Sequence, residues 1–171
     1  MSEEDRYIMV HSCFRLLLVC LASACPSSIV WGSSSSTSVL ANTFHSSVQV
    51  PKAPFWPDEL PGAHWIWESA EKTLGTYTFL ELFPLTDAIQ SKVNRVTVHI
   101  AADDYYSISL NGHTISTTAG QPSDPPASYD LTPHVLYSTA ASPVMNKLKV
   151  MATNVGGFAG VMFKVEVTLK G

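Results

Sequence analysis

The stretch that decides the fold is VTVHIAADDYYSISLNGHTI, residues 96–115. Apolar residues alternate in it with polar or small ones, which is the period of a strand with one buried face. These apolar positions are Val96, Val98, Ile100, Tyr106, Ile108 and Leu110. Asn111-Gly112 follows, and this pair suits the positive φ angles of a type I′ turn. The stretch therefore predicts two strands and a hairpin tip at Asn111-Gly112.

A second alternating stretch lies near the C-terminus, at residues 161–169. Its apolar positions are Val161, Phe163, Val165, Val167 and Leu169, and the period predicts that this side of the strand faces a core. Further strands are predicted at residues 76–83, 113–118 and 147–153. About eight strands with few helical positions predict an all-β protein, a two-sheet antiparallel jelly-roll β-sandwich.

The N-terminal part has a different composition. Residues 14–24, FRLLLVCLASA, form an apolar run that ends in Ala22-Ser23-Ala24, the small-x-small form of a signal-peptidase site. The run is shorter than the roughly 20 residues of a membrane-spanning helix. We therefore expect a signal peptide over residues 1–24 and a secreted, extracellular protein with no membrane span. The acidic segment Ser2–Asp5 differs from the positively charged start of a signal peptide. Initiation of translation at Met9 would leave this segment out. The alternative interpretation of the apolar run is a buried N-terminal helix.

The remaining chain divides by composition into a linker and a domain. Residues 33–38 read SSSSTS, and Ser and Thr stay frequent to residue 47, which indicates a Ser/Thr-rich linker or N-terminal extension over residues 25–50. Residues 48–50 could add an edge strand. Prolines then favour an extended lead-in, because each one fixes φ and disfavours helix before it. The sandwich domain is predicted over residues 51–171.

Charge and cysteine content exclude several classes of partner and of site. The formal net charge is −4 and the cations are scattered, so nucleic acid is not an expected partner. The cysteines are Cys13, Cys20 and Cys25. All of them precede the predicted domain, which therefore has no disulfide framework, no cysteine-based zinc site and no thiol nucleophile. The sequence also lacks a Gly-x-Ser-x-Gly elbow, a His-Glu-x-x-His motif and a phosphate-binding glycine loop. We therefore expect that the protein is not an enzyme.

Short motifs follow one another along residues 62–170. They are Trp65-Ile66-Trp67, Asp103-Asp104-Tyr105-Tyr106, Asn111-Gly112, Tyr129 to Thr132 and Asn154 to Gly160. In this order they resemble the galactose-binding-domain-like jelly rolls, which occur as accessory modules of secreted glycoside hydrolases and in stand-alone extracellular proteins. The resemblance implies a β-sandwich with a binding, adhesive or structural role. The Ala/Ser/Pro-rich stretch at residues 137–145 is longer than the family pattern has.

The candidate ligand-binding residues are Asp103, Asp104, Asn154 and Phe158, which we expect at loops on one end of the sandwich. Carboxylate and amide groups can pair with vicinal hydroxyls while an aromatic ring covers the apolar face of a sugar. In the alternative interpretation, one aspartate accepts hydrogen bonds from a neighbouring loop and residues 154–160 are a tight connection. No cofactor is expected. Related folds often hold a structural calcium ion, which takes carboxylate oxygens.

The sequence therefore favours a secreted, non-catalytic, lectin-like module whose partner is a glycan or cell-surface polysaccharide. The alternative is an extracellular structural or adhesive protein that self-assembles as a homo-oligomer or binds another protein. Trp65 and Trp67 share a face of an extended segment, so they either pack in the core or stack on sugars. The adjacent Asp103 and Asp104 do not form the facing carboxylate pair of a glycosidase.

Overall fold

The protein is described by a computed structural model over residues 28–40, 44–119 and 125–170. The predicted signal peptide at residues 1–24 lies outside these ranges. The strands are β1 Ser28–Gly32, β2 Ser38–Leu40, β3 Phe44–Ser46, β4 Val48–Gln49, β5 Ile66–Trp67, β6 Gly75–Phe83, β7 Val93–Asp103, β8 Tyr105–Leu110, β9 His113–Ala119, β10 Ala127–Asp130, β11 Asn146–Asn154 and β12 Gly160–Leu169. A short helix, α1 Asp87–Gln90, and a 3₁₀ turn, Thr132–His134, lie between strands.

The strands form two antiparallel sheets. Sheet I has the order β10-β7-β12-β5-β4, and β1 pairs with β12 beside β5. Sheet II has the order β3-β2-β6-β11-β8-β9. From β6 onward the chain passes repeatedly from one sheet to the other, and only β8 and β9 are joined as a hairpin within one sheet. This arrangement confirms the predicted all-β, two-sheet antiparallel sandwich.

The core lies between the inner faces of the sheets. Val161, Phe163, Val165 and Val167 of β12 are fully buried, as their alternation predicts. Buried side chains of sheet II that join the same apolar cluster are Phe79, Phe83, Ile108, Leu148 and Val150. This core fixes which residues of each strand face outward, and therefore which residues are available to a ligand.

The hairpin tip forms where it is predicted. Asn111 has φ 52° and Gly112 has φ 87°, and they join β8 to β9. The Asn111 amide also fixes this end of the sandwich: its Oδ1 accepts a hydrogen bond from Lys147 N at 2.9 Å, and its Nδ2 donates to the backbone oxygen of His134 at 2.8 Å. Asn111 therefore both forms the turn and joins the hairpin to the segments around His134 and Lys147.

The segment with linker composition is built into the sheets. β1 pairs with β12, β2 pairs with β6, and β4 is the predicted edge strand, on sheet I. Three of its hydroxyl residues, Ser33, Thr37 and Ser47, are buried. Ser33 Oγ donates to the His64 carbonyl oxygen at 2.6 Å and accepts from Phe163 N at 3.1 Å, while Thr37 Oγ1 donates to Glu81 at 2.9 Å. Ser/Thr content alone does not distinguish such bonds from a solvated linker, so the sandwich includes residues that composition assigns outside it.

Candidate functional site

Asp103 ends β7 and holds an aromatic side chain against sheet I. The residue is 4% exposed, and its Oδ2 accepts a hydrogen bond from Trp56 Nε1 at 2.9 Å. Burial raises the pKa of the Asp103 carboxyl from 3.8 to about 6; the Trp56 N–H opposes this rise and the neighbouring Asp104 carboxylate adds to it. Asp103 therefore secures the Trp56 side chain and offers little surface to a ligand.

Asp104 lies between β7 and β8 and is half-buried. Its Oδ2 accepts a hydrogen bond from Val155 N at 2.8 Å, and its own backbone N–H donates to the Thr153 carbonyl oxygen at 3.0 Å. The interpretation that one aspartate of the pair accepts a hydrogen bond from a neighbouring loop is thus confirmed for Asp104. The contact anchors the start of the loop that carries Phe158.

The Asn154 side chain ties together two loops at this end of the sandwich. It is 2% exposed, and its Nδ2 donates to the carbonyl oxygens of Lys72 at 3.1 Å and Thr73 at 3.2 Å. Its Oδ1 accepts from Gly156 N at 3.0 Å. Both amide hydrogens and one oxygen lone pair are used inside the protein. Asn154 therefore shapes the loop, and its role in ligand binding stays a prediction.

Phe158 belongs to an aromatic cluster at the end of the sandwich, which we call the aromatic rim and which comprises Phe55, Trp56, Lys72 and Phe158. The Phe158 ring centroid lies 5.4 Å from Phe55, edge to face, and 6.2 Å from Trp56. The Lys72 ammonium lies 4.0 Å from its centroid, which is a cation–π contact. Phe158 is half-buried, whereas Phe55 is 48% exposed and Lys72 is exposed as well, so Phe55 and Lys72 form the outward surface of the rim.

The two tryptophans of Trp65-Ile66-Trp67 are fully buried, so the core interpretation is confirmed. Trp65 stacks on Trp56 with centroids 4.2 Å apart, and its Nε1 has no hydrogen-bond partner within the described part of the chain. Trp67 contacts Tyr77 and Phe79 of sheet II at centroid distances of 5.4 and 5.6 Å. Neither indole ring is available to stack on a sugar.

A shallow depression of about 400 Å³ lies on the outer face of sheet II, and we call it the outer groove. It is lined by Thr76, Tyr105, Tyr106, Ser107, Thr117, Met151 and Thr153. Tyr105 is 48% exposed and Met151 is 37% exposed. Thr153 lies opposite Thr76 on β6 and Tyr105 on β8, and the hydroxyl oxygens of Thr76 and Thr153 are 2.7 Å apart. The strand register thus sets an exposed ring beside a row of hydroxyls.

Two of the predicted ligand-binding residues, Asp104 and Asn154, are sequence neighbours of residues that line the outer groove, but they do not line it themselves. Asp104 directly precedes Tyr105, and Asn154 directly follows Thr153. In a strand, neighbouring side chains point to opposite faces, so the groove takes the alternate residues of the same motifs. The sequence did contain a feature that indicates the groove. Tyr105 of β8 and Met151 of β11 are large side chains at positions where the alternating pattern places residues on the outer face.

The polar groups that line the outer groove are hydroxyls. Its described lining residues include neither carboxylates nor histidines. Within residues 28–40, 44–119 and 125–170, no three His, Cys, Asp or Glu side chains come together in a way that would hold a metal ion. The same ranges contain no helix that is long and apolar enough to cross a membrane. The lining of the groove can therefore stack on a ligand and exchange hydrogen bonds with it.

Comparison with known proteins identifies the fold and leaves the family open. The sequence matches no protein-family profile and no curated protein sequence. Among solved structures, the chain is similar to Streptomyces avermitilis α-L-rhamnosidase complexed with L-rhamnose, with a TM-score of 0.53 and 24% identity over 72% of this chain. It is also similar to the β-D-glucuronidase of Dictyoglomus thermophilum, with a TM-score of 0.56 and 10% identity over 86% of this chain.

The chain spans only a small part of these glycosidases. The matched regions are 12% of the rhamnosidase chain and 29% of the glucuronidase chain. At these identities the likeness establishes a shared β-sandwich fold and carries no residue assignments. The fold of this protein is consistent with the galactose-binding-like domains that its motifs resemble.

Proposed function

We propose that this protein is a non-catalytic, lectin-like module that binds a glycan along the outer groove. The observation that carries the proposal is the exposed ring of Tyr105 beside the hydroxyls of Thr76 and Thr153. An aromatic face covers the apolar C–H face of a pyranose, while hydroxyl groups exchange hydrogen bonds with those of the sugar. The absence of carboxylates from the described groove lining fits binding without hydrolysis.

The shape of the outer groove favours a chain of sugars over a single one. It is open along the sheet face, and its lining comes from β6, β8, β9 and β11. An extended oligosaccharide lying across these strands would contact several hydroxyl groups at once. Because the strands already hold these hydroxyl groups in place, binding would not require the free energy of ordering a loop. Two of the similar solved structures are glycosidases by name, which supports a role of this fold in carbohydrate recognition.

The proposed setting is extracellular. The apolar run at residues 14–24 and the small residues that end it support a signal peptide. If the protein is secreted, N-terminal sequencing of the protein from the culture medium should start near Cys25 or later. Recovery of an intact Met1 on protein retained in the cytoplasm would contradict secretion without affecting the glycan-binding proposal.

A glycan array followed by calorimetry on the purified protein tests the function. Tyr105→Ala should weaken binding of the best glycan about threefold to tenfold, because it removes one aromatic stacking contact. Phe55→Ala is the matched control: Phe55 has the same 48% exposure but lies on the aromatic rim. If Phe55→Ala and Phe158→Ala abolish binding while Tyr105→Ala does not, the ligand binds at the rim. A folded wild-type protein that binds no glycan would refute the proposal.

Self-association is a second candidate function, and the edge of sheet II favours it. β9 is an outer strand of this sheet, and its sequence HTISTTA contains no Lys, Arg, Asp, Glu or Pro. Edge strands without such residues can pair with another strand. Light scattering over a range of concentrations measures this directly: a stable homo-oligomer in a sample that binds no glycan would favour the structural or adhesive role.

A further inference from the structure

The two outer faces of the sandwich differ in their charge. On sheet I the charged side chains neutralise one another. Arg95 lies 3.3 Å from the carboxylate of Asp130, and Lys164 lies 3.3 Å from that of Glu166. Cations and anions thus occur in pairs on this face, so it has little net attraction for an anion.

Sheet II has a different balance. Its described strands contain one acidic residue, Glu81, and this residue is opposite the fully buried Leu148 and accepts a hydrogen bond from Thr37. Glu81 therefore belongs to the inner side of the sheet. Lys147 and Lys149 occupy the outward positions of β11, where the burial pattern alternates with the core residues. Lys149 therefore places a positive charge on the outer face of sheet II, in a protein whose formal net charge is −4.

Lys149 is placed to contact a ligand that extends along the outer groove. It shares its side of β11 with Met151 and Thr153, which line the groove, and positions two residues apart on a strand are separated by about 7 Å. It forms no ion pair with any residue of the described ranges. Asp104 lies at the opposite end of the groove, next to Tyr105. Neither residue lines the groove itself, so a ligand meets Lys149 only when it extends along β11 beyond Met151, away from Asp104.

We propose that the glycan held by the outer groove is anionic, carrying carboxylate or sulfate groups, and that one of these groups meets Lys149 when another sugar of the same oligosaccharide stacks on Tyr105. This inference rests on the proposed glycan-binding function and adds the chemical class of the ligand. The Lys149 ammonium is a point charge on a flexible stem, which suits either anion and does not select between them. The rest of the glycan contacts the hydroxyls of the groove.

Matched ligand pairs test the charge of the ligand on the intact protein. One pair is a uronate oligosaccharide and the same oligosaccharide after reduction of its carboxyl groups; the other is a sulfated galactan oligosaccharide and its desulfated form. Calorimetry at low salt should show the anionic member binding about threefold to tenfold more tightly in at least one pair. The difference should shrink strongly at high salt, because exposed charges are screened. The pair that shows it identifies carboxylate or sulfate as the group recognised.

Two charge-equivalent variants locate the effect. Lys149→Gln should weaken binding of the anionic member about two- to fivefold, the range of one exposed ion pair, and leave binding of the neutral member unchanged. Lys92→Gln removes the same charge just before β7, on the other sheet, and should leave both unchanged. Equal affinities within both pairs would overturn the inference and leave glycan binding standing. Equal losses in the two variants would overturn the assignment to Lys149. No binding of any glycan would remove both proposals.

Discussion

Gly160 offers a sharp test of how the aromatic side chains are seated on sheet I. A Cβ atom added at this position would lie 2.5 Å from Cη2 and 2.8 Å from Cζ3 of Trp56, and 3.1 Å from Cε3 of Trp65. Carbon atoms in good contact are about 3.5–4.0 Å apart, so in Gly160→Ala the Trp56 ring must move by an ångström or more. Trp56 is 3% exposed and stacked on Trp65, which leaves it little free space.

The cost of this movement has two parts and one offset. Overpacking of a buried contact costs about 1–3 kcal/mol, and separating Trp56 from the buried carboxylate of Asp103 adds about 1–3 kcal/mol. Alanine stabilises by about 0.4–1 kcal/mol through the unfolded chain. We therefore expect Gly160→Ala to lower the free energy of unfolding by about 1–6 kcal/mol, with the middle of the range at ~3 kcal/mol.

Urea denaturation followed by tryptophan fluorescence measures this change, and a red-shifted native emission should accompany it as Trp56 meets water. Gly156→Ala is the matched control: nothing lies within 4 Å of its added Cβ, and its φ is outside the left-handed region. It should leave stability unchanged or raise it slightly. If Gly160→Ala were as stable as Gly156→Ala and its native emission were unchanged, the result would contradict the close contact between the Trp56 ring and Gly160.

Two further predictions concern the core and the buried carboxylate. Phe163→Ala should cost about 3–5 kcal/mol in urea denaturation, since the ring is fully buried in β12, whereas the exposed Phe55→Ala should stay within about 0.5 kcal/mol; equal effects would mean that Phe163 is not a core residue. Asp103, whose pKa rises from 3.8 to about 6 on folding, binds more protons in the native state than in the unfolded one. Its contribution to stability is therefore fully present below pH 3.8 and is lost as the pH rises through about 6. Relative to Asp103→Asn, the wild type should lose about 1–3 kcal/mol between pH 4 and pH 7; parallel stability profiles would contradict this.

The sequence was sufficient for the parts of the fold in which one face of a strand is buried and the other is wet. β8 forms at its predicted limits, residues 105–110, and the turn at Asn111-Gly112 has the expected φ angles. The sequence did not predict β1 to β3, because polar side chains in and beside these strands make hydrogen bonds with residues distant in the sequence. Ser33 binds His64 and Phe163, far along the chain, and such pairings leave no local pattern.

The candidate site was predictable only to the level of its segments. The motif around Asp103 and Asp104 and the loop after Asn154 do meet at one end of the sandwich, through the Asp104 contact to Val155. Polarity suggested that the acidic and amide groups bind ligand. In the structure these groups also make hydrogen bonds within the protein, so their role in ligand binding stays a prediction. The position of Trp56 over Asp103 follows from tertiary packing, which leaves no local pattern in the sequence.

The position of β12 has a consequence for the synthesis of the protein. It lies in the middle of sheet I, between β7 on one side and β1 and β5 on the other, yet it follows all of them in the chain. As the chain leaves the ribosome, sheet I therefore lacks its central member until residues 160–169 emerge. Until then the apolar inner faces of β7 and β5 and the free edge of β7 are open to other chains. Pairing of β1 with β12 spans most of the described sequence, and such distant contacts are slow to form. We therefore expect sheet I to complete its folding only after residues 160–169 have emerged from the ribosome.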